Sequence, residues 1–301
     1  MSLSVVPAAA LSPPYSAEDL VRMDRFREGL DSAARELLET HLALPREVHY
    51  VADLRRWMLS QMTMAMHFEH SQDRTCLPIS PGNLARTMSA IASRNTAHAF
   101  LFEMRRYGFV EPLESEDGRQ RAVRATEMSE QLIRRYFDIH LRALDIIDGG
   151  GRFALSRQQP DLLHRAQPRF ARLLLERRDW HKPPPSIAKF VRSDSGSSVL
   201  HDLIKKVPSL PADSTASVWI GKVSPNALSS RYRISRTHTA RLFGLAREAG
   251  LIGWAKKSNR GACWISTALV HDYRYWQAIK LSAVSTAFAE ACLASGVLKA
   301  A

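Results

Sequence analysis

Two runs of polar and basic residues carry side chains able to bind the edges of nucleic-acid bases. Arginine presents a fork of donors that matches guanine, and asparagine pairs in a similar way with adenine. The runs are Arg94, Asn95, Thr96 and His98 in the first part of the chain, and Arg236, Thr237, His238 and Arg241 in the second. Such side chains read a base sequence only where an element that fits a groove presents them.

The first run lies near the start of the second of two closely spaced predicted helices. Ser80 and Pro81 are typical of a helix start, because serine caps the helix and proline needs no amide hydrogen at the first position. Ser93 begins the second helix, which Gly108 ends. Apolar residues recur along it at three- and four-residue spacing, away from most of the basic ones. These apolar residues are Ala97, Phe100, Leu101 and Met104.

A short hairpin is predicted directly after this helix. Residues 109–113 and 120–126 read as strands joined across a turn with Asp117 and Gly118 at its tip, a dipeptide typical of tight hairpins. The stretch 80–126 is therefore predicted to form a helix-turn-helix followed by a two-stranded wing.

The same pattern returns in residues 223–267. The start and end residues of its second helix lie at an offset of 142 (235 − 93) from those of the first copy, and its first helix starts at Ser224 and Pro225, at an offset of 144 (224 − 80) from Ser80 and Pro81. The pairs are Ser93 with Ser235, Arg94 with Arg236, Arg105 with Arg247 and Gly108 with Gly250. A repeat of this length indicates a duplicated domain. The second wing, 256–261, carries Lys256, Lys257, Asn259 and Arg260.

The first copy resembles the winged helix of the MarR family, bacterial regulators named for multiple antibiotic resistance. The resemblance rests on Asp117-Gly118-Arg119, which matches the Asp-x-Arg signature of the family's wing, and on Thr126, which opens the next helix. It covers roughly 53–145, and the second copy lacks the wing signature. The resemblance implies that Arg119 reaches into a minor groove while Asp117 holds the shape of the wing.

The charge of the chain favours polyanionic partners. The formal net charge is +12 and the isoelectric point is about 10.0, so both nucleic acid and an anionic membrane surface qualify. Basic side chains on the wings are expected to contact phosphates, which raises affinity without reading sequence. They are Arg121, Arg124, Lys256, Lys257 and Arg260.

The predicted fold is mainly α with small β-hairpin wings, as tandem winged helix-turn-helix domains framed by long helices. The expected organisation is a disordered tail over 1–16, a first half over 17–148, a linker over 149–159 and a second half over 160–301. The last predicted helix, 268–295, has an amphipathic pattern suited to another helix in the same chain or in a partner chain. Its stripe consists of Leu281, Val284, Phe288 and Cys292, and we expect a homodimer.

The remaining features indicate a cytoplasmic protein without a cofactor. The start of the chain lacks the pattern of a signal peptide, no segment has the length and apolarity to span a bilayer, and three scattered cysteines suit a reducing compartment. His67, His70 and Cys76 have a spacing that a zinc or copper sensor could use. Histidines at the end of a helix more often have no metal bound, so no metal is expected. Cys76 as an oxidation sensor lacks a nearby basic cluster or second cysteine.

Four methionines leave two readings open. They line an adaptable pocket for a small apolar effector, or they pack in the core, which is the commoner use of methionine. They are Met58, Met62, Met64 and Met66, with Trp57 and Phe68 beside them.

Together these features predict a sequence-specific regulator of transcription, a repressor, that binds double-stranded DNA. The alternative is a plasmid replication or partition initiator, which also joins two winged helices in one chain. A winged-helix scaffold that binds only proteins is a third class. An enzyme is not expected: His271 and Arg274 have the His-x-x-Arg form of tyrosine recombinases, but no tyrosine follows Tyr275 to act as nucleophile.

Overall fold

The computed structural model describes residues 14–113, 122–208, 217–256 and 259–297, and it is mainly helical with two small antiparallel sheets. The chain forms two compact units. Unit 1 comprises Met1–Gly29, Arg55–Arg177 and Ile279–Ala301, and unit 2 comprises Leu30–Leu54 and Arg178–Ala278.

The helices are α1 Ala17–Arg22, α2 Phe26–Ala43, α3 Pro45–His49, α4 Leu54–Gln72, α5 Pro81–Thr87, α6 Arg94–Arg106, α7 Glu127–Asp148, α8 Arg152–Gln158, α9 Leu162–Glu176, α10 Arg178–His181, α11 Pro185–Val191, α12 Gly196–Ile204, α13 Pro225–Arg231, α14 Arg236–Glu248 and α15 Thr267–Ala294. The strands are β1 Val110–Pro112, β2 Val123–Ala125, β3 Ser217–Lys222, β4 Ile252–Lys256 and β5 Arg260–Ser266.

The core of unit 1 is built on α4, α7 and α9. Phe137 and Phe170 are buried with their ring centroids 5.2 Å apart, and Trp57 meets Phe170 at 6.2 Å. Edge-to-face pairs of this kind add stability beyond the area they bury. The four methionines at 58, 62, 64 and 66 are at most 6% exposed. They therefore pack in the core, which is the commoner of the two uses considered from the sequence.

Helices α8 and α9 belong to unit 1, although the predicted boundary at the glycine triplet would assign α9 to the second half. Arg152 at the start of α8 is 1% exposed and forms ion pairs with Asp148 at 2.7 Å and Asp145 at 3.3 Å on α7. Gln167 on α9 donates to the backbone oxygen of Gln61 on α4 at 2.8 Å. A buried guanidinium needs such partners, so these bonds hold the chain to unit 1 after Gly149.

Unit 2 contains a three-stranded antiparallel sheet in the order β3-β5-β4. Ile265 on the central strand lies opposite Val218 on one side and Ile252 on the other, and all three are buried. Strand β3 is absent from the sequence prediction. Its alternating burial, with Trp219 exposed between Val218 and Ile220, is the period-two signal of a half-buried strand.

Unit 1 has a shorter sheet with an equivalent order. Strand β1 pairs with β2. On its other side, Val123 of β2 forms a single β-bridge with Ile79, in which the Val123 amide donates to the Ile79 oxygen at 2.9 Å. Ile79 precedes Ser80 as Val223, next to the end of β3, precedes Ser224. In both units, therefore, a strand or bridge, two helices and two strands follow one another in the same order.

The apolar stripe of the last helix packs within this chain, which is one of the two alternatives predicted for it. The stripe Leu281, Val284, Phe288 and Cys292 is at most 1% exposed, so this chain already covers it. Other sides of α15 are also buried, at Ala278, Lys280 and Ala291 among others. A helix buried on most sides is a core helix. The expectation that this stripe offers a surface for a second chain is wrong.

None of the helices in the described part of the chain combines the length and the apolar character needed to span a membrane.

Candidate nucleic-acid interface

A pair of short helices joined by a turn leads into the first run of candidate residues. Ser80 caps α5 by accepting from the Asn83 amide at 3.2 Å, and Ser93 caps α6 by accepting from the Thr96 amide at 3.2 Å. Gly108 ends α6 with a φ of +76°, a left-handed conformation that favours glycine. The caps and the stop predicted for this stretch are confirmed.

Unit 2 repeats the arrangement with the same residue types. Ser224 accepts from the Ala227 amide at 3.3 Å at the start of α13, and Ser235 accepts from the His238 amide at 3.1 Å at the start of α14. Gly250 follows with a φ of +66°. Equal caps and stops set equal helix lengths, and α6 and α14 each have 13 residues.

The buried faces of α6 and α14 match position by position. Each buried residue of α6 has a buried counterpart 142 positions later (239 − 97). The pairs are Ala97 with Thr239, Phe100 with Leu242, Leu101 with Phe243 and Met104 with Ala246. Because the buried stripe fixes the rotation of a helix about its axis, the two helices also expose corresponding faces.

The exposed face of α6 is basic with an aromatic residue in it. The exposed residues of this helix are Arg94, Asn95, Ala99, Phe102, Arg105 and Arg106. Neither Arg94 nor Arg105 has an ion pair with any residue that the structure describes. Phe102, which is not among the predicted base-reading residues, is 70% exposed. The available signal was its position outside the stripe of Phe100, Leu101 and Met104.

The exposed face of α14 carries three arginines. Its exposed residues are Arg236, Thr237, Ala240, Arg241, Leu245, Arg247 and Glu248. Arg247 donates to the side-chain oxygen of Asn259 at 3.1 Å, which ties the β4–β5 turn to the helix. Asn259 has a φ of +58°, a conformation that asparagine tolerates better than most residues. The turn is thus held near the basic face.

Three predicted base readers are placed differently from the prediction. The Nε2 atoms of His98 and His238 are buried and have no hydrogen-bond partner among the described residues, so neither atom faces solvent. Thr96 is half-buried, with its hydroxyl 2.8 Å from that of Ser93. Thr96 therefore belongs to the cap of α6, and the exposed candidates are Arg94, Asn95, Arg236, Thr237 and Arg241.

A short ion pair neutralises the one acidic residue of α6. Arg56 on α4 donates to Glu103 at 2.5 Å, and the Arg56 guanidinium lies 5.7 Å from the centroid of the Phe100 ring. The pair is partly buried, with side-chain exposures of 27% and 39%. It orients α6 and removes a negative charge that would repel a polyanion.

Hydrogen bonds from the following helix hold the end of α6. Thr126 is the N-cap residue of α7, and its hydroxyl donates to the Gly108 oxygen at 2.8 Å. Ser129 donates to the Phe109 oxygen at 2.7 Å.

In unit 2, Asp202 on α12 accepts from Arg231 at 2.5 Å and from Tyr232 at 2.9 Å at the end of α13. Burial, with Asp202 beside it, raises the pKa of Tyr232 well above its ordinary value.

The wing residues divide into those that the structure describes and those outside it. Arg124 on β2 pairs with Glu111 on β1 at 2.8 Å, with both side chains exposed. Lys256 and Arg260 lie opposite each other in register and are exposed. Asp117, Arg119, Arg121 and Lys257 lie outside the described residues.

The histidines considered as metal ligands are engaged in hydrogen bonds. His67 lies 2.9 Å from Glu130 through Nε2, and its Nδ1 accepts from the Ala125 amide at 3.2 Å. The proton therefore resides on Nε2 in a neutral ring. His70 donates through Nδ1 to the Cys76 oxygen at 2.8 Å. These bonds join α4 to the strand β2 and to the loop after α4.

A cavity of about 110 Å³ lies at the end of α4 against β2. Met66 is the one of the four methionines that lines it. The wall also contains His67, His70, Arg74 and Arg124, so basic side chains lie beside the apolar ones.

Comparisons of this chain with protein-family models, with curated proteins and with solved structures found no match.

Proposed function

We propose that this protein is a sequence-specific regulator of transcription that binds double-stranded DNA through α6 and α14. On this proposal each unit contains a winged helix-turn-helix of the MarR type, with α6 and α14 as recognition helices in the major groove. The repeated helix pair carries the proposal, because it has the same caps, the same buried stripe and an arginine-rich exposed face in both units.

The distribution of charge supports DNA over a protein partner. Arginine can contact both phosphates and base edges, and the acidic Glu103 of α6 is paired with Arg56. The formal charge of +12 adds a long-range attraction to a polyanion. A scaffold that binds only proteins would not require this excess of positive charge.

The proposal includes further parts that follow from the sequence. The protein acts as a repressor in the cytoplasm, has no catalytic activity and responds to a small-molecule effector. It functions as a homodimer, with an interface other than the buried stripe of α15. Sedimentation at micromolar concentration tests the homodimer: particles of 34 kDa alone would refute it.

A plasmid replication or partition initiator is the second candidate. It is favoured by the repeated helix pair within one chain, which suits repeated DNA sites. Selection of bound sites from genomic fragments separates the two functions. Direct repeats at a replication origin support the initiator, and an inverted repeat in promoter DNA supports the regulator.

Binding to random duplex DNA at several salt concentrations tests the proposal as a whole. We expect affinity to fall linearly with salt on a double-logarithmic plot, because phosphate contacts release counterions. A selected site should bind at least about a thousandfold more tightly than random duplex. Absence of duplex binding at low salt would refute the proposal.

A further inference from the structure

Phe102 is an exposed aromatic residue on a helix face whose other exposed residues are Ala99, Asn95 and three arginines. Its side chain is 70% exposed, the largest value among the exposed large hydrophobic residues of the described chain. Exposure of a phenylalanine leaves apolar surface in water, and burial of that surface against a partner would be favourable.

The position of Phe102 on the helix is central. At about 100° per residue, Phe102 lies about 80° around the helix from Arg94, in the middle of the exposed arc. Arg105 and Arg106 lie on either side of it one turn later, and both are exposed. Glu103 points away from this arc and is paired with Arg56. The ring of Phe102 is thus flanked by arginine side chains on the exposed face of α6.

The second recognition helix keeps two of these arginines but lacks the ring, and Glu248 stands at the place of Arg106 (248 − 106 = 142). Arg236 and Arg247 occupy the places of Arg94 and Arg105, while Gly244 occupies the place of Phe102 (244 − 102 = 142). A Cβ atom added at Gly244 would meet nothing within 4 Å, so burial does not demand glycine there. The two helices therefore differ in the middle of the face that they present.

We propose that Phe102 selects thymine in the DNA half-site bound by unit 1, through contact between its ring and the thymine methyl group. This inference rests on the proposed function. Thymine is the base that presents an apolar group in the major groove, and phenylalanine is among the side chains that contact it. The surrounding arginines match the phosphates on either side of such a contact. Unit 2, with Gly244, lacks this selection.

Replacement of thymine by uracil tests the contact, because it removes only the methyl group. The probes are duplexes selected from a random pool by the wild-type protein and then resynthesised with deoxyuridine at one thymine position at a time. We expect at least one position at which wild-type binding weakens about fourfold, the factor for one buried methyl group. The variant Phe102→Ala should bind the thymine duplex more weakly and show no loss at that position.

Two controls make the result specific. Leu245→Ala removes an exposed apolar side chain from α14, where 45% of the residue is exposed, and it should keep the full response to uracil. Circular dichroism should show the same helix content for both variants, since neither side chain is buried.

Each other outcome overturns the inference in a distinguishable way. Wild-type binding that is insensitive to uracil at every thymine rejects the contact and leaves the proposed function standing. A complete absence of duplex binding rejects both. A wild-type protein that sediments as a dimer, together with a Phe102→Ala variant that sediments as a monomer, would assign the ring to contact between two copies of this chain.

Discussion

The guanidinium of Arg56 on α4 donates a hydrogen bond of 2.5 Å to the carboxylate of Glu103 on α6. This contact joins a helix of the core to the helix that presents Arg94 and Phe102. The ion pair has two effects, which a single and a double variant can separate. It fixes the orientation of α6, and it masks a negative charge close to the basic face.

Removal of Arg56 should weaken both stability and DNA binding. Because the pair is partly exposed, we expect Arg56→Met to lower the free energy of unfolding by only about 0.5 to 1 kcal/mol. The affinity for DNA at low salt should fall because Glu103 is left unpaired. In the double variant Arg56→Met/Glu103→Gln the affinity should return. A double variant as weak as the single one would show that orientation alone matters.

The serine caps should contribute similar stability in the two units. Ser93→Ala and Ser235→Ala should each lower the free energy of unfolding by about 1 kcal/mol, because each leaves an amide of the first turn without its acceptor. Urea denaturation measures this loss. Ser93→Asn and Ser235→Asn are the matched controls, since asparagine also caps helices. Equal losses for alanine and asparagine would argue against capping.

The variants Arg94→Ala and Arg236→Ala should lose more affinity for a selected DNA site than for random duplex DNA. Each change to alanine should cost about 1 to 3 kcal/mol of binding free energy on a selected site if the arginine reads a base. The loss on random duplex should be smaller. Arg22→Ala, which removes an exposed positive charge from α1, is the control for net charge. Equal losses on both DNAs would assign Arg94 and Arg236 to phosphate contacts.

The stability of the protein should depend on pH through Lys280. This side chain is 5% exposed and has no ion pair with any described residue; its ammonium lies 5.9 Å from the centroid of the Tyr136 ring. Burial lowers the pKa of Lys280 from 10.5 to about 7. Between these values the unfolded chain binds a proton that the folded chain does not, so stability rises with pH across this window.

The variant Lys280→Met should remove that dependence. We expect its free energy of unfolding at pH 7 to exceed that of the wild type by on the order of 2 kcal/mol, because no buried amine must lose its proton. The gain should shrink as the pH approaches 10. Lys205→Met, at an exposed lysine, is the control. A gain from Lys280→Met that is constant from pH 7 to 10 would contradict the lowered pKa.

The three cysteines should differ in reactivity. Cys263 and Cys292 are buried, and burial raises the pKa of each thiol to about 12, whereas Cys76 is half-exposed. Because the thiolate is the reactive form, a thiol reagent should label one cysteine per native chain at neutral pH and three in urea. The variant Cys76→Ser should show no rapid labelling. Fast modification of a second site in the native protein would contradict this burial.

The parts of the fold that the sequence predicted are those with local chemical signals. Ser93 and Ser235 cap their helices and Gly108 and Gly250 end theirs, because caps and left-handed turns depend on residues close in sequence. The apolar stripes of α6 and α14 were likewise visible from periodicity. Strand β3 had a signal in its β-branched and aromatic residues Val218, Trp219 and Ile220, but a short apolar run of this kind is also compatible with other structures.

The parts that sequence reasoning missed depend on distant contacts. The assignment of α9 to unit 1 rests in part on the hydrogen bond from Gln167 to Gln61, and no sequence pattern connects these two residues. Burial of α15 on most sides was hidden because its many alanines look neutral in a helical pattern, although small residues allow close packing. His98 and His238 have the right residue type at the right place, and only the rotation of the side chain turns their Nε2 atoms inward.

The difference between Phe102 and Gly244 gives the two copies unlike chemistry on a shared scaffold. An assembly that approaches DNA with identical faces treats both directions along the duplex as equivalent. On the proposed function, a chain whose two recognition helices differ distinguishes the two ends of the DNA segment that it binds. In a symmetric homodimer this polarity belongs to the segment under each chain, and the two segments point in opposite directions.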